Sequence, residues 1–287
     1  FKIKKFKIDS LYLEGNSKKL ILNNRYFQEI TDYINKSVEV DFINEKINFM
    51  RSNDFKRILE LSKNEAHYKN PFVIDILPEL DDNLKKKIIK FATSDFMLKT
   101  ATDYLGVFPI IRGIYLNVNF PTENKQTSSQ LWHRDDFGYK TLDLFMAVNE
   151  IDESNGPLVT LKKKDPLKIF YRVKNEIGTN LRGERGKISD RNFNYLLDNE
   201  DNSFFKLKGK KGTALFIDSF RNYHKGGFCK KNNRVVLRIS YMTNDSTFDL
   251  DSNYQEKQEW FSLLPENKQS SFFIKKVFQK RNKIFSV

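Results

Sequence analysis

The hydrophobic period of this chain changes at about residue 107, and that change bounds the folds open to it. Before it, apolar residues recur at helical spacing. Tyr26, Phe27, Ile30, Tyr33 and Ile34 mark one helix face, and the stretch from Phe55 to Leu61 repeats the pattern. Asp81 and Asp82, followed by Leu84, Ile88, Ile89 and Phe91, read as the start of a capped amphipathic helix that runs on to Leu105, with Gly106 as its stop. After residue 107 the pattern is that of strands. Residues 108–119 are β-branched and aromatic, and residues 141–151 form an apolar run closed by the turn Asn155-Gly156-Pro157. Lys206-Leu207-Lys208 and residues 213–217 flank a glycine-bearing turn, and residues 234–243 form the last clear strand. Helices followed by a run of strands predict an α+β fold in which helices buttress a β-barrel or sandwich.

The chain reads as a single domain over residues 1–287, with helical support in 1–106, strands in 107–245 and a helical tail in 246–287. The opening Phe1-Lys2-Ile3-Lys4-Lys5-Phe6 looks like a strand edge rather than a secretory signal. Residues 162–205 are polar, charged and too long for a plain connection, so they are expected to be a functional insertion with a short helix over 190–197. In the tail, Phe273, Ile274, Val277 and Phe278 make an apolar stripe beside Lys275, Lys276, Lys280 and Arg281. Such a stripe either docks on the protein's own sheet or lies on a membrane surface.

Core material is plentiful, with 26 Phe and 12 Tyr, and 30% of residues are charged, which places the chain among soluble globular proteins. No apolar run approaches the roughly 18–20 residues of a membrane span. The one cysteine, Cys229, excludes an internal disulfide framework and a cysteine-rich zinc site; it fits a reducing compartment, and a cytoplasmic location is expected. A net charge of +13 is compatible with an anionic substrate, a nucleic acid, a membrane surface or a plain compositional bias. The lysines are spread along the chain, and no helix-turn-helix, zinc-finger or aromatic RNA-binding signature accompanies them, so no nucleic-acid partner is expected.

Two short segments about 90 residues apart carry the chemistry. The first is Gln130-Leu131-Trp132-His133-Arg134-Asp135-Asp136. The second runs from Asp218 through His224-Lys225-Gly226-Gly227 and leads into the last strand. On a strand end His133 and Asp135 point to one face, and Arg134 and Asp136 to the other. His224, at the junction of a glycine turn and a strand, is the candidate third ligand. Two imidazoles and one carboxylate are the donor set of a facial triad with open coordination positions, which suits Fe(II). The chain has only three histidines, and this site uses two.

Other readings of the same residues compete. His133-Arg134-Asp135 also spells the start of a kinase catalytic loop, but that loop needs Asn five positions after the Asp, where this chain has Lys140. Taken singly, a His-x-Asp specifies little, and His224 alone reads as a surface-turn or core histidine. Arg234 adds weight: it opens a strand ten positions after His224. A buried guanidinium there clamps a carboxylate with two teeth or sits in an internal salt bridge. Arg238 shares its strand face and has the same two readings.

Together these segments resemble the phytanoyl-CoA dioxygenase-like family of Fe(II)/2-oxoglutarate-dependent oxygenases. The likeness runs over about residues 107–245, through Gln130–Asp135, Asn155-Gly156-Pro157, Gly212–Asp218, His224–Gly227 and Arg234–Leu237. The resemblance implies a double-stranded β-helix, a jelly-roll or cupin-like barrel. It implies His133, Asp135 and His224 as iron ligands and Arg234 as the anchor for the distal carboxylate of 2-oxoglutarate, with Arg238 and Gln130 as further candidates beside the co-substrate. It implies a hydroxylase that uses Fe(II), 2-oxoglutarate and O2 and releases succinate and CO2. After Asn-Gly-Pro the family often continues as Pro-Gly-Ser-His, whereas this chain reads Leu158-Val159-Thr160-Leu161, so the rim of the substrate site departs from the pattern. Lys162, Lys163, Lys164, Lys168, Arg172, Arg182, Arg185 and Lys187 lie in the insertion; if it lids the site, a small anionic substrate is expected. The competing classes are a barrel metalloenzyme that uses another divalent metal and a non-catalytic basic binding protein.

Overall fold

The computed structural model describes residues 20–21, 25–53, 72–122, 126, 128–135, 140–161, 171–177, 186–196, 204–243 and 259–264. In chain order its strands are β1 (Leu20–Ile21), β2 (Val73–Asp75), β3 (Ile110–Asn119), β4 (Thr141–Ala147), β5 (Val159–Leu161), β6 (Phe204–Lys206), β7 (Thr213–Ile217), β8 (His224–Lys225) and β9 (Arg234–Met242). Its helices are α1 (Arg25–Ser37), α2 (Val40–Arg51), α3 (Asp82–Ala92), α4 (Asp95–Leu105) and α5 (Asp190–Leu196). The expected opening strand, the helical pattern at 55–61 and the stripe at 273–278 lie outside the described residues. No helix among the described residues is long and apolar enough to cross a membrane.

The architecture is mixed helix and antiparallel sheet. A six-stranded sheet has the order β1-β7-β4-β9-β3-β2, and a three-stranded sheet has the order β6-β5-β8. The central strands of the larger sheet are buried on both faces, because side chains alternate across a strand. On one face Leu142, Leu144, Met146, Leu237, Ile239 and Tyr241 pack with Phe27, Leu84, Ile88 and Tyr104 of the helices. On the other, Phe145, Ala147, Leu215, Ile217 and Val236 form a separate apolar cluster with Ile151, Leu158 and Leu207. The polar residues Asp143, Arg238 and Ser240 share that second face: Asp143 pairs in register with Ser240, and Phe145 with Arg238.

Two expectations change in detail, and the turn between 208 and 213 takes an unanticipated form. The single helix expected over 81–105 is two helices. Asp81 caps the first, accepting from the Leu84 N–H, and Gly106 ends the second at φ 83°. Between them Ser94 turns extended and its hydroxyl accepts from Met97 N–H, because a serine satisfies a new helix start better than it continues an old helix. Strand β4 stops at Ala147 rather than Ile151. There the Asn149 side chain takes over the ladder, accepting from Val235 N–H at 2.8 Å and donating to Asn233 O at 2.9 Å. The strands flanking the glycine turn do not pair with each other: β6 belongs to the small sheet and β7 to the large one. Gly209 and Gly212, both at positive φ, make this crossing between sheets.

Candidate metal centre

His133 and His224 are brought together by their own backbones. Each donates its N–H to the other's carbonyl at 3.0 Å, in an isolated antiparallel bridge. Trp132 makes the same exchange with Ile188. The segment is therefore not the strand end expected from sequence but two successive isolated bridges to different partners. Asp135 is held separately: its N–H donates to Ser219 O at 2.9 Å, inside the turn that leads to His224. The side-chain alternation expected for this segment does hold for the described residues. His133 and Asp135 meet His224, while Trp132 stacks on Phe193 at 4.4 Å and Arg134 lies over the Tyr223 ring at 5.3 Å. Asp136 lies outside the described residues.

The three side chains are buried, and each offers a ligand atom within 4.8 Å of the others. Asp135 Oδ1 lies 3.6 Å from His133 Nε2 and 3.8 Å from His224 Nε2. The other ring nitrogens face carbonyl oxygens: His133 Nδ1 is 2.7 Å from Leu131 O, and His224 Nδ1 is 3.1 Å from Asn222 O. A carbonyl only accepts, so Nδ1 carries the proton and Nε2 turns its lone pair to the cluster. Burial, and then the neighbouring His224, push the His133 imidazole down to about 4, so it is neutral near pH 7. Burial works to raise Asp135, but the Arg238 guanidinium and the two imidazoles outweigh it and hold this carboxyl well below the usual carboxylate range.

The two arginines of β9 have different surroundings. Arg238 donates from Nη2 to Asp135 Oδ2 at 2.9 Å and to Asp143 Oδ2 at 3.3 Å, and it lies over the Phe145 ring at 5.1 Å. The Ser240 hydroxyl donates to the other oxygen of Asp143. Arg234 is buried, and among the described residues its one side-chain hydrogen bond runs from Nη1 to Gly227 O at 3.3 Å and no carboxylate pairs with it. Burial accordingly pushes its guanidinium below its ordinary value, offset only by Cys229. A Cβ at Gly226 would sit 3.6 Å from Arg234 Nη2, so the glycine keeps the space beside the guanidinium open. Gln130 is buried in the short turn Ser128–Gln130 that leads into the site.

Two acidic residues were given no role by the sequence reading. Asp143 is one; the signal for it is a lone acid inside the run Leu142-Asp143-Leu144-Phe145. The other is Asp218, fully buried beneath the His224 turn and pushed up to about 6 by that burial, against the pull of its bond from Tyr104. The short helix expected in the insertion is α5, but most of the insertion's basic residues lie outside the described ones. Arg172 and Lys187 are described, and Lys187 donates to the Ser128 hydroxyl at 2.9 Å. On the reverse face of the small sheet a cleft is lined by Trp132, Phe204, Lys206 and Lys225; Lys225 pairs with Asp190, and Lys206 with Glu153.

Among solved structures the chain is similar to EctD from S. alaskensis. It matches the form with 2-oxoglutarate and 5-hydroxyectoine at a TM-score of 0.52 and 14% identity, over 90% of this chain and 82% of that one. It matches the form with bound Fe at a TM-score of 0.50 and 13% identity, over 85% and 78% of the two chains. At this identity the likeness establishes a shared fold. No protein-family model and no curated protein sequence matches the chain.

Proposed function

We propose that this chain is an Fe(II)/2-oxoglutarate-dependent dioxygenase of the phytanoyl-CoA dioxygenase-like kind, built on a double-stranded β-helix, that hydroxylates a small molecule. The observation that carries the reading is the pairing of two features in one buried place: a His-Asp-His cluster and, on β9, a guanidinium that pairs with no carboxylate among the described residues. The donor set fits Fe(II). Two imidazoles with free Nε2 lone pairs and one ionised carboxylate suit a borderline metal and leave positions open. Arg234 fits the far carboxylate of a dicarboxylic keto acid, because a buried guanidinium without an anion is costly until one arrives.

Iron with 2-oxoglutarate supplies the oxidising chemistry, consuming O2 and yielding succinate and CO2. The residues of this chain bind, orient and exclude water. His133, Asp135 and His224 hold the metal, and the carbonyls of Leu131 and Asn222 fix the two rings. Arg234 sets the direction of the co-substrate, and the cluster around Phe145, Leu215, Ile217 and Val236 keeps bulk water from that side. If the basic insertion lids the site, a small anionic compound is the substrate class it favours. Zinc would accept the same donors, but a buried Arg234 that pairs with no carboxylate among the described residues favours a keto-acid co-substrate over a simple hydrolytic site.

The test is an anaerobic titration of the protein with Fe(II) and then with 2-oxoglutarate, followed by the visible metal-to-ligand charge-transfer band. A band that is absent from His133→Ala and His224→Ala supports the reading. Metal binding without a band points to another metal chemistry, and no metal binding points to a binding protein.

A further inference from the structure

The two oxygens of Asp135 face different partners. Oδ1 looks toward the imidazole nitrogens at 3.6 and 3.8 Å, and Oδ2 lies 2.9 Å from Arg238 Nη2. Arg238 is in turn fixed from the sheet: Asp143 accepts from the same Nη2 at 3.3 Å, and the Phe145 ring underlies the guanidinium. Asp143 is itself oriented, because the Ser240 hydroxyl occupies its other oxygen. Arg238, Asp143, Phe145 and Ser240 lie on paired, adjacent stretches of β4 and β9, so the groups that hold Asp135 Oδ2 belong to the sheet and not to a loop.

We infer that Arg238 and Asp143 form a clip that makes Asp135 a one-oxygen metal ligand. The inference rests on the metal reading of the triad. A carboxylate free to swing can chelate a metal with both oxygens, and the second oxygen takes a position that a co-substrate needs. Arg238 withholds Oδ2 by a charge-assisted hydrogen bond, and Asp143 keeps the guanidinium from following the carboxylate toward the metal. Arg238 is thus a positioning residue for Asp135, separate from Arg234, which lies four residues earlier on the strand and has no carboxylate partner among the described residues.

The test uses the full chain and two readouts that do not depend on turnover. With Mn(II) standing in for Fe(II), water-proton relaxivity reports the waters left on the metal. With Fe(II) under anaerobic conditions, the visible band reports the Kd of 2-oxoglutarate. In Arg238→Gln the relaxivity is expected to fall as Oδ2 displaces a water, and the 2-oxoglutarate Kd is expected to weaken roughly 10- to 100-fold while metal binding persists. A residue that only supports the fold would lower the melting temperature and leave both readings at wild-type values, and that result overturns the clip. If circular dichroism shows Arg238→Gln unfolded, Asp143→Asn decides, since it loosens the guanidinium without touching Asp135. The same shifts in smaller measure support the clip, and unchanged values overturn it. A wild-type protein that binds neither Mn(II) nor Fe(II) overturns the metal reading itself, and the clip with it.

Discussion

The Tyr104 hydroxyl donates a 2.5 Å hydrogen bond to Oδ2 of Asp218, joining helix α4 to the turn that carries His224. The same aspartate accepts from Arg221 N–H at 3.1 Å through Oδ1, and its backbone carbonyl accepts from Asn222 N–H at 2.9 Å. Its neighbour Ser219 holds the backbone of Asp135. One buried carboxylate thus braces the turn that supplies contacts to two of the three triad residues.

That brace has a pH signature. The folded pKa of Asp218 is raised to about 6, above its unfolded value, so between roughly pH 4 and 6 the folded state holds the proton more tightly than the unfolded state. This group's contribution is therefore fully present below the unfolded value and is lost as pH rises to about 6. Asp218→Asn is expected to remove that fall, of order 1–3 kcal/mol, while keeping an acceptor for Tyr104. Urea unfolding midpoints of the two proteins at a series of pH values measure it. Parallel curves would show that Asp218 does not titrate there.

Removing an imidazole strips the cluster of a donor without opening the apolar core. His224→Ala and His133→Ala are each expected to abolish Fe(II) binding and turnover and to leave the far-UV circular dichroism unchanged. An active His224→Ala protein would remove the triad from consideration.

Arg234→Ala is expected to weaken 2-oxoglutarate binding by about 2–5 kcal/mol, roughly 30-fold or more, with little effect on the metal. Mn(II) relaxivity without co-substrate should stay at the wild-type value, which separates this variant from Arg238→Gln. Should Arg238→Ala weaken co-substrate binding with Mn(II) relaxivity unchanged, and Arg234→Ala have no effect, the anchor is Arg238.

The loops around Gly156 and Gly227 meet backbone to backbone. A Cβ on Gly227 would lie 2.3 Å from the carbonyl carbon and oxygen of Gly156 and from Pro157 O. Backbone cannot yield as a side-chain end does, so Gly227→Ala is expected to cost about 1–3 kcal/mol or more. Chemical denaturation measures the loss. Because Gly227 also supplies the carbonyl on Arg234, co-substrate affinity should fall with it.

Much of this protein was legible before its structure. The apolar runs over 141–147 and 234–242 announced strands, and the spacing in α1 and α3 announced amphipathic helices, because each pattern is local and follows from backbone geometry. The residue types at 133, 135 and 224 were enough to nominate a cluster, since few side chains bind a transition metal and this chain spends its histidines sparingly.

Only the tertiary structure decided which groups touch. Ser94 broke a helix that apolar spacing alone would have continued, because a cap competes locally with the hydrophobic pattern. Asp143 and Arg238 sit 95 residues apart, and of the two only Arg238 stood out in sequence; antiparallel register placed them beside one another and beside Asp135. Two arginines on one strand face shared the same two readings in sequence, with Arg234 set apart as the anchor only by the family resemblance. Their neighbours across the sheets, a carboxylate pair for Arg238 and a glycine carbonyl for Arg234, separated them. By itself the sequence determined the local periods and the chemical inventory. Long-range pairing determined the partners, because burial makes a charge's meaning depend on what lies within a few ångströms of it.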